Sequence, residues 1–190
     1  TETEKSGGRI SVRRTPNETY VPYELNVSYR DLFGTDQDLI VDRFILSQAV
    51  MLSLAGIPGI YFHSLVGSGN DISGMEENGI PRRINRQKYD LDELTHTLTD
   101  KVSLQFEIFN RYRSLVYLRT QQSAFHPNGD QVVLDIDNRQ VLGFSRTNPD
   151  KTESIIVLYN FSCKKQTIRI KNNSKHSGTD LMTKEQVILS

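Results

Sequence analysis

Cysteine is almost missing from this 190-residue chain: Cys163 stands alone, which excludes an internal disulfide framework and fits a reducing cytoplasm, the compartment expected. Net charge is missing too. Lysine plus arginine and aspartate plus glutamate number 23 each, so no global field draws the chain to nucleic acid or to an anionic membrane. No apolar run approaches the ~18 residues needed to span a bilayer. The opening Thr1-Glu2-Thr3-Glu4-Lys5 is neither a signal peptide nor an initiator methionine, and the chain is expected to begin inside something longer. Asn-x-Ser/Thr triplets at Asn17, Asn26, Asn160 and Asn172 are therefore read as chance. His63, His96, His126 and His176 show no metal-ligand spacing. Gly67-x-Gly69 lacks the third glycine and following helix of a dinucleotide loop. Neither metal nor cofactor is expected. The Arg82-Arg83-x-x-Arg86 cluster has no interleaved aromatics and argues little for nucleic acid.

What is present is an ordinary globular composition, 36% hydrophobic and 24% charged. Residues 1–22, with Gly7-Gly8, Pro16 and Pro22, read as a loop. Residues 36–55 read as a helix capped by Asp36, apolar over most of its surface through Leu39, Phe44, Leu46, Val50, Leu52 and Leu54. Gly56 suits a left-handed C-cap, and Pro58 cannot continue the helix. The continuous apolar run Ile57–His63 then reads as a strand buried on both faces, as in a parallel sheet or barrel. A long loop over 64–90 follows, the position where barrel enzymes keep their chemistry. A second helix is predicted at about 103–121, with Leu104, Ile108, Tyr112, Leu115 and Leu118 inward. From there the period shortens. Gln131–Asp135, Gln140–Ser145, Ser154–Asn160, Gln166–Ile170 and Gln186–Leu189 read as strands of an antiparallel module.

The order helix, buried strand, long loop, helix, antiparallel sheet predicts an α/β chain: the C-terminal portion of a (β/α)8 barrel over 1–125, then a small β-sandwich-like domain over 126–190. A complete barrel needs about 250 residues and cannot fit.

Four stretches in this order carry a family resemblance: Pro22-Tyr23-Glu24-Leu25-Asn26-Val27-Ser28-Tyr29, Gly56-Ile57-Pro58-Gly59-Ile60-Tyr61, Gly67-Ser68-Gly69-Asn70-Asp71, and Arg82-Arg83-Ile84-Asn85-Arg86-Gln87-Lys88-Tyr89. Over about residues 7–126 the chain resembles the sucrose-phosphorylase subgroup of glycoside hydrolase family 13, in the α-amylase superfamily. Pro-Tyr-Glu-x-Asn-Val is closer to the glucosylglycerate phosphorylases, since sucrose phosphorylases tend to carry Gln at the position of Glu24. Gly69 departs from the pattern, for relatives usually place Arg or Lys there.

The resemblance implies a retaining double displacement. An Asp attacks the anomeric carbon of an α-glucoside, a Glu protonates the leaving group, and inorganic phosphate takes the glucosyl unit to give α-glucose 1-phosphate. Such chemistry needs two carboxylates about 5–5.5 Å apart. In the family the catalytic acids precede the matched segment, so none maps here, and this chain alone is expected to be inactive. The implied partners are an α-glucoside, phosphate and the remainder of the chain's own barrel upstream. Sucrose phosphorylase and a non-catalytic carbohydrate-binding module are the alternative readings.

Six residues form the expected substrate-binding set. Spacing alone reads Arg82 as a surface arginine; the resemblance places it in the donor subsite, where a planar fork suits sugar hydroxyls. Tyr23 and Glu24 fall in an acceptor loop, with Arg13 and Arg14 offered as cations that offset Glu24 against a glycerate carboxylate. Asn70 and Asp71 are expected to shape the loop by hydrogen bonding, and Arg86, with Asn85, to brace it. His63 reads either as a structural histidine or as a substrate contact.

Overall fold

A computed structural model describes residues 1–34, 36–170 and 176–189; the triplet at Asn172 lies outside the described residues. The chain forms two compact units, Thr1–Ala49 with Gly59–Ser114, and Val50–Pro58 with Leu115–Ser190.

In the first unit the opening residues are not a loop. Thr1 caps α1 (Glu2–Lys5) in a capping box with Glu4. β1 (Arg9–Arg14) and β2 (Tyr20–Asn26) then pair antiparallel, Ile10 opposite Leu25, with a register shift between Ser11 and Val12. The glycines and prolines that suggested a loop are compatible with this hairpin. Pro22 sits on a strand with one partner only, where a missing N–H need break no second ladder. Its apolar residues Val12, Tyr20 and Leu25 are exposed, so no buried face printed an alternation on the sequence.

The apolar run expected over 36–55 forms α2 (Gln37–Ser53). The predicted second helix is α6 (Leu104–Thr120). Within the first unit Phe44 and Tyr112 are fully buried and meet edge to face at 6.4 Å, and Tyr29 and Phe33 join the cluster at 5.2–6.3 Å. The Tyr112 hydroxyl has no hydrogen-bond partner there, and burial pushes its pKa up to about 12. Tyr112→Phe removes that unpaired donor and is expected to leave stability unchanged or raise it by about 1 kcal/mol, whereas Tyr112→Ala costs about 3–5 kcal/mol in denaturant titration.

The predicted interior strand Ile57–His63 is absent. Among the described residues no strand pairs with it. Its last residues enter a helical turn, α3 (Phe62–Leu65), and Ile57 is 87% exposed. An apolar run becomes a strand only where a neighbour closes its hydrogen-bond ladder. Tyr61, at φ −82° and ψ 134°, has the extended backbone without that neighbour. The loop predicted over 64–90 carries α4 (Ile72–Asn78) and a 3-10 turn at Pro81–Asn85, and α5 (Leu91–Thr99), capped by Asp90, follows.

In the second unit β3 (Asp130–Val133), β4 (Val141–Thr147) and β5 (Ser154–Asn160) form an antiparallel sheet over Phe125, Phe144 and Val157. Gln166–Ile170 was predicted as a strand but makes one isolated bridge, Ile136 to Ile170. Side chains take the place of the ladder: the Arg169 N–H donates to Asp137 Oδ1 at 2.8 Å, and Asn138 Nδ2 to Gln166 Oε1 at 2.8 Å. β7 (Gln186–Leu189) stands where predicted and pairs with β6 (His176–Thr179), which periodicity did not signal.

The end of α2 is closed by two arginines. Arg146, fully buried on β4, donates to the carbonyls of Ser53 (2.8 Å), His126 (2.7 Å) and Asp130 (3.2 Å). Arg119 donates to Leu52, to Gly56 (3.0 Å) and to Phe125 (3.0 Å). Carbonyls in the last turn of a helix have no partner within it, and cations there also meet the negative end of its dipole. Gly56 takes φ 99°, the left-handed conformation expected of it.

Candidate functional site

All six candidate residues lie in the first unit, where the loop after α3 meets the end of β2. Asn70 is the knot. Its Nδ2 donates to the Ser6 carbonyl, its Oδ1 accepts from the Ser28 N–H and its own N–H donates to Asp31 Oδ2, each at 2.7 Å. Asp71 caps α4 by accepting from the Gly74 N–H at 3.0 Å and pairs with Arg83 Nη1 at 2.8 Å. A carboxylate so occupied holds the start of α4 and is poorly placed for proton transfer.

Arg30 was not singled out from sequence, yet it organises the same loop. Its Nε pairs with Asp31 Oδ1 at 2.8 Å and its Nη1 donates to the Gly67 carbonyl at 2.9 Å. A Cβ on Gly69 would lie 2.0 Å from Arg30 Nη2. The guanidinium of Arg30 thus fills the space a side chain at position 69 would enter.

The contact that joins separate sequence candidates is Glu24 to Arg82. Arg82, on the 3-10 turn, donates through Nε to Glu24 Oε2 on β2 at 2.7 Å. The carboxylate raises the guanidinium's pKa, chiefly through that hydrogen bond. The side chains are 47% and 30% exposed, so the pair stays open to a ligand. The cations proposed to offset Glu24 are engaged elsewhere. Arg14 pairs with Glu18 at 2.9 Å, and Arg13 lies 5.6 Å from the centroid of the exposed Tyr23 ring. Arg82 supplies the charge instead. Arg86 is exposed and contributes its carbonyl, which accepts from Arg83.

The same unit holds a cleft of about 260 Å³, lined among others by Leu25, Tyr29, Arg30, Tyr61, His63 and Asn85 and not by Glu24 or Arg82. His63 Nδ1 lies 3.0 Å from Ser68 Oγ, to which Tyr89 Oη donates at 2.7 Å. Burial, then the nearby Arg83 charge, lowers the pKa of His63. Ser68, Arg83 and Tyr89 stand in the motifs quoted above without a site role, and Arg30 outside them, because only the fold brings these side chains together. Among the described residues no group of three His, Cys, Asp or Glu side chains is placed to hold a metal.

No family model matches the chain. In structure it is similar to the crystal structure of sucrose 6F-phosphate phosphorylase from Thermoanaerobacter thermosaccharolyticum, with a TM-score of 0.70 over 98% of this chain and 34% of that one. At 19% identity that likeness shows the fold, a mixed helix-and-sheet chain with small antiparallel sheets. In sequence it is 42% identical to a glucosylglycerate phosphorylase from Spirochaeta thermophila over 82% of the chain, and 33% identical to one from Escherichia coli over 97%. A sucrose phosphorylase from Agrobacterium vitis is 28% identical over 77%. The chain spans 27%, 33% and 27% of the length of these three relatives. It is a homologue of the sucrose-phosphorylase-like proteins of glycoside hydrolase family 13, and within them of the glucosylglycerate phosphorylases.

Proposed function

We propose that the complete protein containing this chain is a retaining α-glucoside phosphorylase that converts glucosylglycerate and inorganic phosphate to α-glucose 1-phosphate and glycerate. In this reading residues 1–125 supply the last elements of a (β/α)8 barrel and 126–190 a C-terminal β-sandwich-like domain. The preceding barrel is the partner that covers Ile60, Tyr61 and Phe62, all exposed here. The cytoplasm is the proposed compartment.

The observation that carries the reading is the Glu24–Arg82 pair, which links the proposed acceptor loop to the arginine proposed for the donor subsite. Arg82 has donors left for glucosyl hydroxyls, while Glu24 offers an oxygen to a hydroxyl of the leaving group. Pairing also reduces the repulsion a free Glu24 would exert on the glycerate carboxylate. Tyr23, open and edged by Arg13, is proposed to wall the acceptor side. The attacking and proton-donating carboxylates belong to the preceding barrel. In the first step the glycosidic C–O bond breaks as the carboxylate oxygen bonds to the anomeric carbon and glycerate leaves with a proton; phosphate oxygen then displaces the carboxylate.

Phosphate-dependent consumption of glucosylglycerate tests the reaction. Glu24→Gln tests the acceptor assignment: the kcat/KM ratio for glucosylglycerate over sucrose is expected to fall about tenfold, as one charge-assisted hydrogen bond is weakened. An unchanged ratio removes Glu24 from acceptor selection.

A further inference from the structure

The Glu24–Arg82 pair is held from behind by a second path through the same unit. In a 3-10 turn about three residues complete one revolution, so successive side chains point about 120° apart. Two neighbouring side chains of the turn Pro81–Asn85 are fixed inward. Ile84 is fully buried, and the Asp71 N–H donates to its carbonyl at 2.8 Å. Arg83, its side chain 18% exposed, pairs through Nη1 with Asp71 Oδ2 at 2.8 Å, and the same nitrogen donates to the Arg86 carbonyl. Arg82 takes the remaining direction, 47% exposed, and meets Glu24.

Asp71 has little freedom to lie elsewhere. Its side chain is largely buried, and its Oδ1 accepts from the Gly74 N–H at 3.0 Å. Its Oδ2 is buried and accepts no aligned hydrogen bond among the described residues, so the Arg83 charge is what holds it. A Cβ on Gly74 would lie 2.3 Å from that oxygen, so the carboxylate fills a space that bare backbone leaves open. The preceding Asn70 accepts through Oδ1 from the N–H of Ser28, just beyond the end of β2, at 2.7 Å. Glu24 on β2 and Arg82 on the turn are therefore both tied to Asn70-Asp71, and the circuit closes at their own 2.7 Å contact.

We propose that Asp71 and Arg83 are positioning residues, their ion pair fixing the 3-10 turn so that the Arg82 guanidinium is held on Glu24 in the proposed donor subsite. A shift of about 1 Å at a substrate-holding group can cost about a hundredfold in rate, so a pair that acts through Arg82 still sets turnover. That consequence rests on the phosphorylase reading; the positioning itself does not.

The test uses the complete protein with isotope-labelled arginine, the Arg82 Nε–H signal in NMR being assigned by its loss in Arg82→Lys. Glu24→Ala marks where that signal falls without its carboxylate. Arg83→Met and Gly74→Ala are each expected to move it most of the way there. Gly74→Ala leaves both arginines intact and carries the test alone where Arg83→Met does not fold. In steady-state assays Arg83→Met lowers kcat/KM for glucosylglycerate about tenfold, and Arg83→Lys, whose ammonium replaces the one nitrogen that makes both contacts, returns it to within about threefold. In an Arg82→Ala background Arg83→Met causes less than about twofold further loss, because a residue acting through Arg82 has nothing left to position. An Arg82 signal that stays in place in the folded variants overturns the proposal, even in an active enzyme. So does a further loss of about tenfold in the Arg82→Ala background. A displaced signal, in a protein whose wild type leaves glucosylglycerate intact, keeps the positioning and overturns the phosphorylase reading.

Discussion

Arg146→Ala in the complete protein is expected to lower stability by about 3–5 kcal/mol, read by denaturant titration and by proteolysis within the second unit. The physical reason is the number of groups orphaned at once. Arg146 is fully buried and donates to three backbone carbonyls; those of Ser53, at the end of α2, and Asp130 lose that donor on truncation, while His126 still accepts from the Gly129 N–H at 2.9 Å. Each buried acceptor left without a donor costs about 1–3 kcal/mol, and truncation leaves a cavity against Phe125 as well. No buried carboxylate pairs with it among the described residues; carbonyl dipoles, each weaker than an anion, do that work together. Desolvation, then the Arg119 charge, accordingly lowers the guanidinium's pKa. Arg146→Lys keeps a charge but not the fork, so it recovers only part of the loss. A loss below about 1 kcal/mol for Arg146→Ala would refute this account of how the helix end is closed.

Arg82→Ala is the change with the largest expected effect on activity. Kcat/KM for glucosylglycerate should fall about a hundredfold, since donors aimed at substrate hydroxyls are lost and Glu24 is left without its cation. Both effects come from one contact, the 2.7 Å pair. Because Arg82 is roughly half exposed and holds no core element, the folded protein should melt as the wild type does. Loss of activity with normal melting separates a site role from a structural one. Arg82→Lys keeps the charge without the planar fork and is expected to recover little.

The sequence made the long apolar helices α2 and α6 legible, because burial demands a pattern that residues such as Phe44, Ile108 and Tyr112 display directly. β4 and β5 were legible for the same reason. The hairpin β1–β2 was not, since Val12, Tyr20 and Leu25 are exposed and leave no alternation. Ile57–His63 reads as a buried strand because it has the composition of one, but a strand is a relation between segments, and composition cannot supply the neighbour. The site divides in the same way. Glu24 and Arg82 could each be picked out by resemblance, yet they are 58 residues apart and nothing local announces that they pair. Arg30 was invisible to spacing arguments; its role follows from the bare backbone at Gly69, which only the fold brings to it. Arg146 is the extreme case, for a charged residue in a strand ordinarily signals an outward face.

The most direct measurement is the anomeric form of the sugar phosphate made when the complete protein is given glucosylglycerate and inorganic phosphate. The account predicts α-glucose 1-phosphate and glycerate in equal amounts, seen by proton NMR before mutarotation of any free sugar can confuse the assignment. The β-anomer, or free glucose formed at a rate indifferent to phosphate, would contradict it.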